Sequence, residues 1–161
     1  MQLRNQVEWA LHCAAILAAV PEERFLPARD LAEMHGVPKE YLSKALQALA
    51  MAGLVSTTLG PSGGYRLARA PKQITFLDVV DAIEGSGRAF VCTEIRKNNP
   101  CRPSKQRDAA PCAIARVMWG AEEAWRKKLR KVTLADLLET LEEDVDAKTL
   151  AKTAEWVQLR C

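Results

Sequence analysis

The stretch Leu54–Arg69, LVSTTLGPSGGYRLAR, is the part of the sequence that decides the fold. Two short β-prone runs, Leu54–Thr58 and Tyr65–Leu67, lie on either side of the turn-forming residues Gly60–Gly64. β-Branched and aromatic residues around a turn rich in glycine and proline are typical of a β-hairpin. The stretch therefore predicts a hairpin of two strands.

Three helices are predicted ahead of the hairpin, at Leu3–Val20, Ala28–His35 and Pro38–Ala52, because apolar residues recur there at helical spacing. Gly36 follows the second helix, where a glycine commonly ends one. The third helix buries one side in this interpretation, and its expected core residues are Leu42, Ala45, Leu46 and Leu49. Helix, turn, helix and hairpin in this order predict a winged helix-turn-helix, which sets its last helix and its wing against DNA.

The predicted fold class is mainly α with a small β-hairpin wing, combining a winged helix-turn-helix DNA-binding domain with a long dimerisation helix. We assign residues 1–85 to the DNA-binding domain, 86–112 to a cysteine-bearing loop, 113–142 to the dimerisation region and 143–161 to a helical tail. Thr75 is expected to cap a helix that closes the first domain. In the long helix, apolar residues alternate in steps of four and three and predict a seam for a partner helix: Ile114, Met118, Ala121 and Trp125.

The composition is that of an ordinary globular protein. The chain has 161 residues, with 27% charged and 48% hydrophobic side chains and a formal net charge of +3. Its longest apolar run is too short to cross a bilayer, and its first residues do not resemble a secretory leader. We therefore expect a cytoplasmic protein without a membrane partner. No nucleophile with a paired base stands out, so we do not expect an enzyme.

Three of the five cysteines lie in a polar stretch interrupted by prolines, Phe90–Arg116. Cys92, Cys101 and Cys112 have the spacing C-x8-C-x10-C, on a loop that could fold around a metal ion or cluster. Alternatively, Cys92 and Cys112 are redox thiols that form a disulfide. A fourth ligand to a metal would have to come from elsewhere in the chain.

Glu8 and His12 are the candidates for further ligands. They are four residues apart in the first helix, so both side chains project from one side of it. The plainer interpretation is that they are solvated surface residues. His35, at the end of the second helix, is expected to be a cap or a surface residue.

The sequence resembles the Rrf2-type family of bacterial transcription regulators in three features. They are the hairpin LVSTTLGPSGGYRLAR, the following ITFLDVVDAIEG and a three-cysteine loop that leads into a long helix. This family includes the iron-sulfur cluster regulator and the nitric-oxide-sensing repressor. The resemblance covers roughly residues 1–140. It implies a homodimer with crossing long helices that binds double-stranded DNA at a roughly palindromic operator.

Within this family, the WALHC sequence that follows Glu8 resembles the redox-responsive branch, which carries a 2Fe-2S cluster. The resemblance implies that Glu8 and His12 of one subunit hold one iron and that Cys92 and Cys112 of the other hold the second. Cys101 would be an alternative ligand, a resolving thiol or a bystander. The cysteine gaps are wider than in familiar members, which favours 2Fe-2S over 4Fe-4S. The implied function is a repressor that senses redox state.

Residues at the start of the third helix would reach base edges, and wing residues would touch phosphates or the minor groove. The local charge supports this, because residues 39–72 carry five basic side chains and one acidic. The candidate DNA-binding residues are Lys39, Glu40, Tyr41, Ser43 and Lys44 in the helix and Ser62, Gly63, Gly64, Tyr65 and Arg66 in the wing.

Two alternatives remain. One is a clusterless winged-helix regulator that signals by cysteine oxidation or by binding nitric oxide or another small ligand. The other is an iron-sulfur or metal enzyme, or an assembly partner, that uses its helix-turn-helix only for protein contacts.

Overall fold

A computed structural model of the chain describes residues 2–60, 63–103 and 110–161. They form two compact units, Gly87–Lys128 and Gln2–Ser86 together with Leu129–Cys161. The predicted class, mainly α with a small hairpin, is confirmed. The elements are α1 (Asn5–Leu17), α2 (Ala28–His35), α3 (Lys39–Met51), β1 (Val55–Thr58), β2 (Gly64–Leu67), α4 (Phe76–Glu84), α5 (Ala113–Arg130), α6 (Leu134–Asp144) and α7 (Ala147–Arg160).

The helix-turn-helix of the larger unit consists of α2 and α3. Gly36 ends α2 with a φ of 61°, a left-handed conformation that glycine adopts readily. The amide of Val37 then donates to the carbonyl oxygen of Ala32 at 3.1 Å, which closes the helix end. The predicted core side of α3 is confirmed, since its four buried residues are Leu42, Ala45, Leu46 and Leu49.

The first helix, α1, has a buried side that packs against α3, α4 and α6. Its buried residues recur at helical spacing: Val7, Ala10, Cys13, Ala14 and Leu17. On another side, the Gln6 side-chain amide donates to the main-chain oxygen of Tyr41 in α3 at 3.5 Å. Thus α1 contacts the second helix of the helix-turn-helix directly.

The wing is a two-stranded antiparallel hairpin with a third short strand segment beside it. Leu26 and Tyr65 exchange both main-chain hydrogen bonds, each 2.9 Å long. Gly64 is buried next to this pair, and a Cβ atom there would collide with the carbonyl group of Leu26. Only glycine therefore fits between β1 and the Leu26 segment without displacing the backbone.

Helices α4 and α6 both begin at one antiparallel bridge, formed by Thr75 and Thr133. Each threonine is also the N-cap of its helix and forms a capping box, with Asp78 in α4 and with Asp136 in α6. The prediction that Thr75 caps a helix is confirmed. The pairing of Thr75 with Thr133 brings the start of α6 back to the winged part of the chain.

The smaller unit contains most of α5, a 3-10 turn at Ile95–Asn98 and the segment before it. The indole N–H of Trp119 donates to the carbonyl oxygen of Phe90 at 3.1 Å, and the Arg88 guanidinium lies 4.3 Å from the centre of the indole ring. The amide of Ala89 donates to the Glu122 carboxylate at 3.1 Å. Residues 88–90 are thus held against the middle of α5.

No helix in the described ranges is both long enough and apolar enough to cross a membrane.

The crowding at Gly64 gives a stability prediction. Replacement by alanine, Gly64→Ala, should lower the free energy of unfolding by about 1–3 kcal/mol, because the new methyl group forces Leu26 away from β2. Urea titration followed by circular dichroism measures this change. The control is Gly87→Ala, where a Cβ atom meets nothing within 4 Å. Equal unfolding midpoints for the two variants would contradict the packing described for Gly64.

Candidate metal centre and nucleic-acid interface

Glu8 and His12 lie together on the exposed side of α1, as their spacing predicts. Both line a cavity of about 370 Å³ in the larger unit. Apart from these two side chains, the lining is apolar and comes from α1, the segment before it, α4 and α6: Leu3, Val7, Leu11, Ala15, Phe76, Leu137 and Leu141. A carboxylate and an imidazole are therefore presented at the edge of an apolar depression.

His35 is a neighbour of His12 that sequence reasoning missed. The prediction that it is a cap or surface residue was wrong, because it is half-buried and its ring centre lies 5.7 Å from that of His12. Its Nε2 atom is buried and has no hydrogen-bond partner among the described residues. Burial, and secondarily the nearby His12, lower the pKa of His35.

Cys92 and Cys112 interact within the smaller unit. Cys112 directly precedes α5, and the main-chain N–H groups of Ala115 and Ile114 donate to its sulfur. These donors lower the pKa of Cys112, and the Cys92 thiol and the Arg96 charge add to the effect. A thiolate at this position is a good metal ligand and a good nucleophile.

The Glu94 carboxylate lies beside Cys92 and was also missed. The Cys92 Sγ atom lies 3.8 Å from Glu94 Oε1, and Arg96 Nε donates to Glu94 Oε2 at 2.6 Å. The Arg96 hydrogen bond is the main cause that lowers the pKa of Glu94, and the main-chain N–H of Cys112 also contributes. The sequence signal was weak, because an acid two residues after a cysteine is common.

The other three cysteines differ in their surroundings. Cys101 is exposed, and its amide donates to the side chain of Asn99 at 2.9 Å. Cys13 is buried in α1, and burial raises its pKa to about 12. Cys161 follows α7, and partial burial raises its pKa. Cys13 therefore has the character of a packed helix residue.

The predicted ligands thus occur as two pairs in two different units: Glu8 with His12, and Cys92 with Cys112. Within residues 2–60, 63–103 and 110–161, no three side chains of histidine, cysteine, aspartate or glutamate converge to form a metal site. A full set of four ligands is therefore not assembled by the described residues of a single chain.

The candidate DNA-reading residues of α3 are mostly accessible. Lys39, Glu40, Tyr41 and Lys44 are exposed and Ser43 is half-buried. The Lys44 ammonium lies 5.6 Å from the centre of the Tyr41 ring, and Tyr41 is 56% exposed. The first turns of α3 therefore present polar and charged groups to the surface.

The candidate DNA-binding residues of the wing differ from one another in how buried they are. Ser62 lies outside the described residues. Gly63 and Tyr65 are half-buried, whereas Gly64 is buried against Leu26 and so has a packing role that sequence reasoning did not identify. Arg66 is half-buried with its guanidinium 4.8 Å from the centre of the Phe25 ring.

The order of these elements matches a known family. A family model described as "Iron-dependent Transcriptional regulator" (Rrf2) matches residues 3–140. The chain belongs to the Rrf2 family. Two curated Rrf2 relatives are the protein rrf2 of Nitratidesulfovibrio vulgaris, 34% identical over 86% of this chain and 87% of that protein, and the regulator NsrR of Geobacillus kaustophilus, 32% identical over 86% of this chain and 90% of that protein.

Solved structures show the same fold. IscR of T. potens superposes with a TM-score of 0.66 at 24% identity, covering 91% of this chain and 93% of that one. The global cysteine regulator CymR of B. subtilis superposes with a TM-score of 0.61 at 23% identity, covering 87% of this chain and 98% of that one. As a member of the Rrf2 family, this chain is a transcription regulator and not an enzyme. Rrf2 regulators bind DNA and are typically dimeric.

The position of Cys112 at the start of α5 gives a chemical prediction. In metal-free protein, Cys112 should be alkylated by iodoacetamide at a lower pH than a free peptide thiol, because the N–H groups of Ile114 and Ala115 stabilise its thiolate. Quenched labelling followed by peptide mass spectrometry gives the pH midpoint. Cys13, with a pKa of about 12, is the internal control and should stay unlabelled. A midpoint for Cys112 at or above that of the free thiol would contradict the prediction.

Proposed function

We propose that the chain is a homodimeric repressor that binds a roughly palindromic operator and senses redox state through a 2Fe-2S cluster held between subunits. The observation that carries the proposal is the division of the ligands into two pairs. Glu8 and His12 are presented together on α1, and Cys92 and Cys112 are held together beside α5. Each pair supplies two donors, so two subunits would complete a set of four around two irons.

The donor chemistry fits such a cluster. Thiolates are the ordinary ligands of iron-sulfur clusters, and the pKa of the Cys112 thiol is lowered, which favours its deprotonation on binding iron. When bound, the cluster would supply a one-electron redox centre whose potential is raised by ligands other than thiolate. Glu8 and His12 would orient it at the edge of the apolar cavity, which excludes water from that side. A 4Fe-4S cluster remains the less favoured form.

The family description supports iron, since it names an iron-dependent regulator. Cys101 is exposed, which fits an alternative ligand, a resolving thiol and a bystander alike. A change in the cluster would alter DNA affinity only to the extent that it stabilises one arrangement of the winged domains over another. Helix α1, which holds Glu8 and His12 and contacts α3, is the element of this chain through which that preference would act.

The long helix α5 supports a dimer. Ala115 is its only buried residue among those described, whereas Ile114 and Val117 are 66% and 71% exposed and Met118 is 43% exposed. An apolar helix side of this kind is typical of an interface between chains. Two copies related by a two-fold axis would present two α3 helices, which accounts for the expected palindromic operator.

The second candidate function is a clusterless regulator that signals by cysteine oxidation. The interaction between Cys92 and Cys112 and the lowered pKa of Cys112 favour it. Oxidation by a peroxide would convert the two thiols to a disulfide, with reduction of the peroxide and release of water. One relative of this fold is a global cysteine regulator. A reversible Cys92–Cys112 disulfide in metal-free protein that still binds DNA would favour this candidate.

Anaerobic purification tests the cluster. The protein should be coloured, contain iron and acid-labile sulfide, and give a paramagnetic signal after one-electron reduction. Cys92→Ser and Cys112→Ser should lose most of the iron, because sulfur is the stronger ligand to iron. Glu8→Ala and His12→Ala should lower the iron content or change the signal.

The control for these variants is Glu23→Ala, which removes an exposed carboxylate outside the helices. It should leave iron content and spectra unchanged. Colourless anaerobic protein without iron or sulfide would rule out the cluster and leave the thiol-based candidate.

A DNA duplex selected from a random library by the wild-type protein tests the interface. Lys44→Ala should weaken binding to that duplex by about tenfold and reduce the dependence on salt, because an exposed cation at the start of α3 would contact a base or phosphate. Fluorescence anisotropy at several salt concentrations measures the affinity for the duplex and its dependence on salt. Lys148→Ala, an exposed lysine of α7, is the matched control. Equal losses for the two variants would argue against α3 as the reading helix.

A further inference from the structure

Glu94 has an unusual backbone for a residue with a side chain. Among the described residues it is the only one other than glycine with a positive φ, at 55°. This left-handed conformation is unfavourable for glutamate, and such residues persist where their surroundings hold them in place. The contacts of Glu94 therefore hold it in this conformation.

The Glu94 carboxylate joins the two sides of the cysteine loop. On the side before the loop it lies 3.8 Å from the Cys92 sulfur and accepts from Arg96 at 2.6 Å. On the far side, the main-chain N–H of Cys112 is one of the causes that lower the pKa of the carboxylate. Arg96 makes a second link across the loop, because it donates to the carbonyl oxygen of Ala110 at 3.0 Å. Both links join residues 92–96 to residues 110–112.

We propose that Glu94 is a positioning residue, which with Arg96 holds Cys92 and Cys112 together as a pair before any metal is bound. Two cysteines separated by a long loop would otherwise have to be brought together at the moment of binding, at a cost in conformational entropy. A preformed pair removes that cost. The role of this pair in binding a cluster rests on the proposed function, whereas the proximity of the two thiols does not.

The contacts of Glu94 differ in whether they require a protonated thiol. A metal-bound thiolate has no S–H to donate, so the contact of Cys92 with Glu94 belongs to the metal-free chain. The contacts of Glu94 with Arg96 and with the Cys112 amide need no thiol proton and can persist. Glu94 therefore acts mainly on the loading of the site, and Arg96 offsets the charge of a carboxylate next to thiolates.

The first test measures how close the thiols are and needs no metal. Metal-free protein is equilibrated with mixtures of reduced and oxidised glutathione, in which two protein thiols and one glutathione disulfide give one protein disulfide and two reduced glutathiones. The Cys92–Cys112 disulfide is quantified by alkylation and peptide mass spectrometry. Glu94→Ala should lower its equilibrium constant by about tenfold, because the charge-assisted hydrogen bond between Glu94 and Arg96, which needs no thiol proton, no longer holds residues 92–96 in place.

Two further variants separate the side chain from the backbone. Glu94→Asn keeps a residue that tolerates a positive φ but shortens the side chain, and it should behave like Glu94→Ala. Thr93→Ala removes an exposed neighbour in the same loop and should behave like wild type. A wild-type equilibrium constant for both Glu94 variants, with the fold intact by circular dichroism, would overturn the proposal.

The second test measures loading. Metal-free protein is given ferrous iron and sulfide under anaerobic conditions, and the rise of visible absorption is followed. Glu94→Ala should load several-fold more slowly than wild type and Thr93→Ala at the wild-type rate. If wild type does not load, the proposed cluster fails while the glutathione equilibrium still decides the role of Glu94. If wild type loads and Glu94→Ala loads equally fast, positioning by Glu94 is wrong.

Discussion

The bridge between Thr75 and Thr133 is the constraint on which the candidate site of the larger unit depends. It joins two parts of the chain that are far apart in sequence, and each threonine also caps the helix that follows it. Helices α4 and α6 therefore begin at the same point. Phe76 at the start of α4 and Leu137 in α6 then line the cavity whose opposite wall is α1, with Glu8 and His12 on it. The bridge thus joins the starts of the two helices whose apolar residues line the cavity together with Glu8 and His12.

Much of the fold could be predicted from local patterns in the sequence. Apolar spacing located the helices to within a few residues, and Gly36 and Thr75 were recognised because helix ends have local signals. The role of Gly64 could not be predicted in the same way. Its neighbour, Leu26, is distant in the sequence, and only the tertiary structure shows that a side chain would collide there. The pairing of Thr133 with Thr75 was missed for the same reason.

The residues of the candidate site also fall into those that local sequence patterns predict and those that only the tertiary structure shows. Helical spacing was enough to place Glu8 and His12 on one side of α1, and the cysteine cluster itself drew attention to Cys92 and Cys112. Glu94 and His35 were missed because their importance lies in what surrounds them. A glutamate in a left-handed conformation and a histidine with a buried Nε2 atom have no signature in the sequence.

The hydrogen bond from Gln6 to the main-chain oxygen of Tyr41 has a consequence for distance. Gln6 and Glu8 are two residues apart in α1, which is about 3 Å along the helix axis at 1.5 Å per residue. Glu8, which lines the cavity, is therefore separated from this contact between α1 and α3 by less than one helical turn.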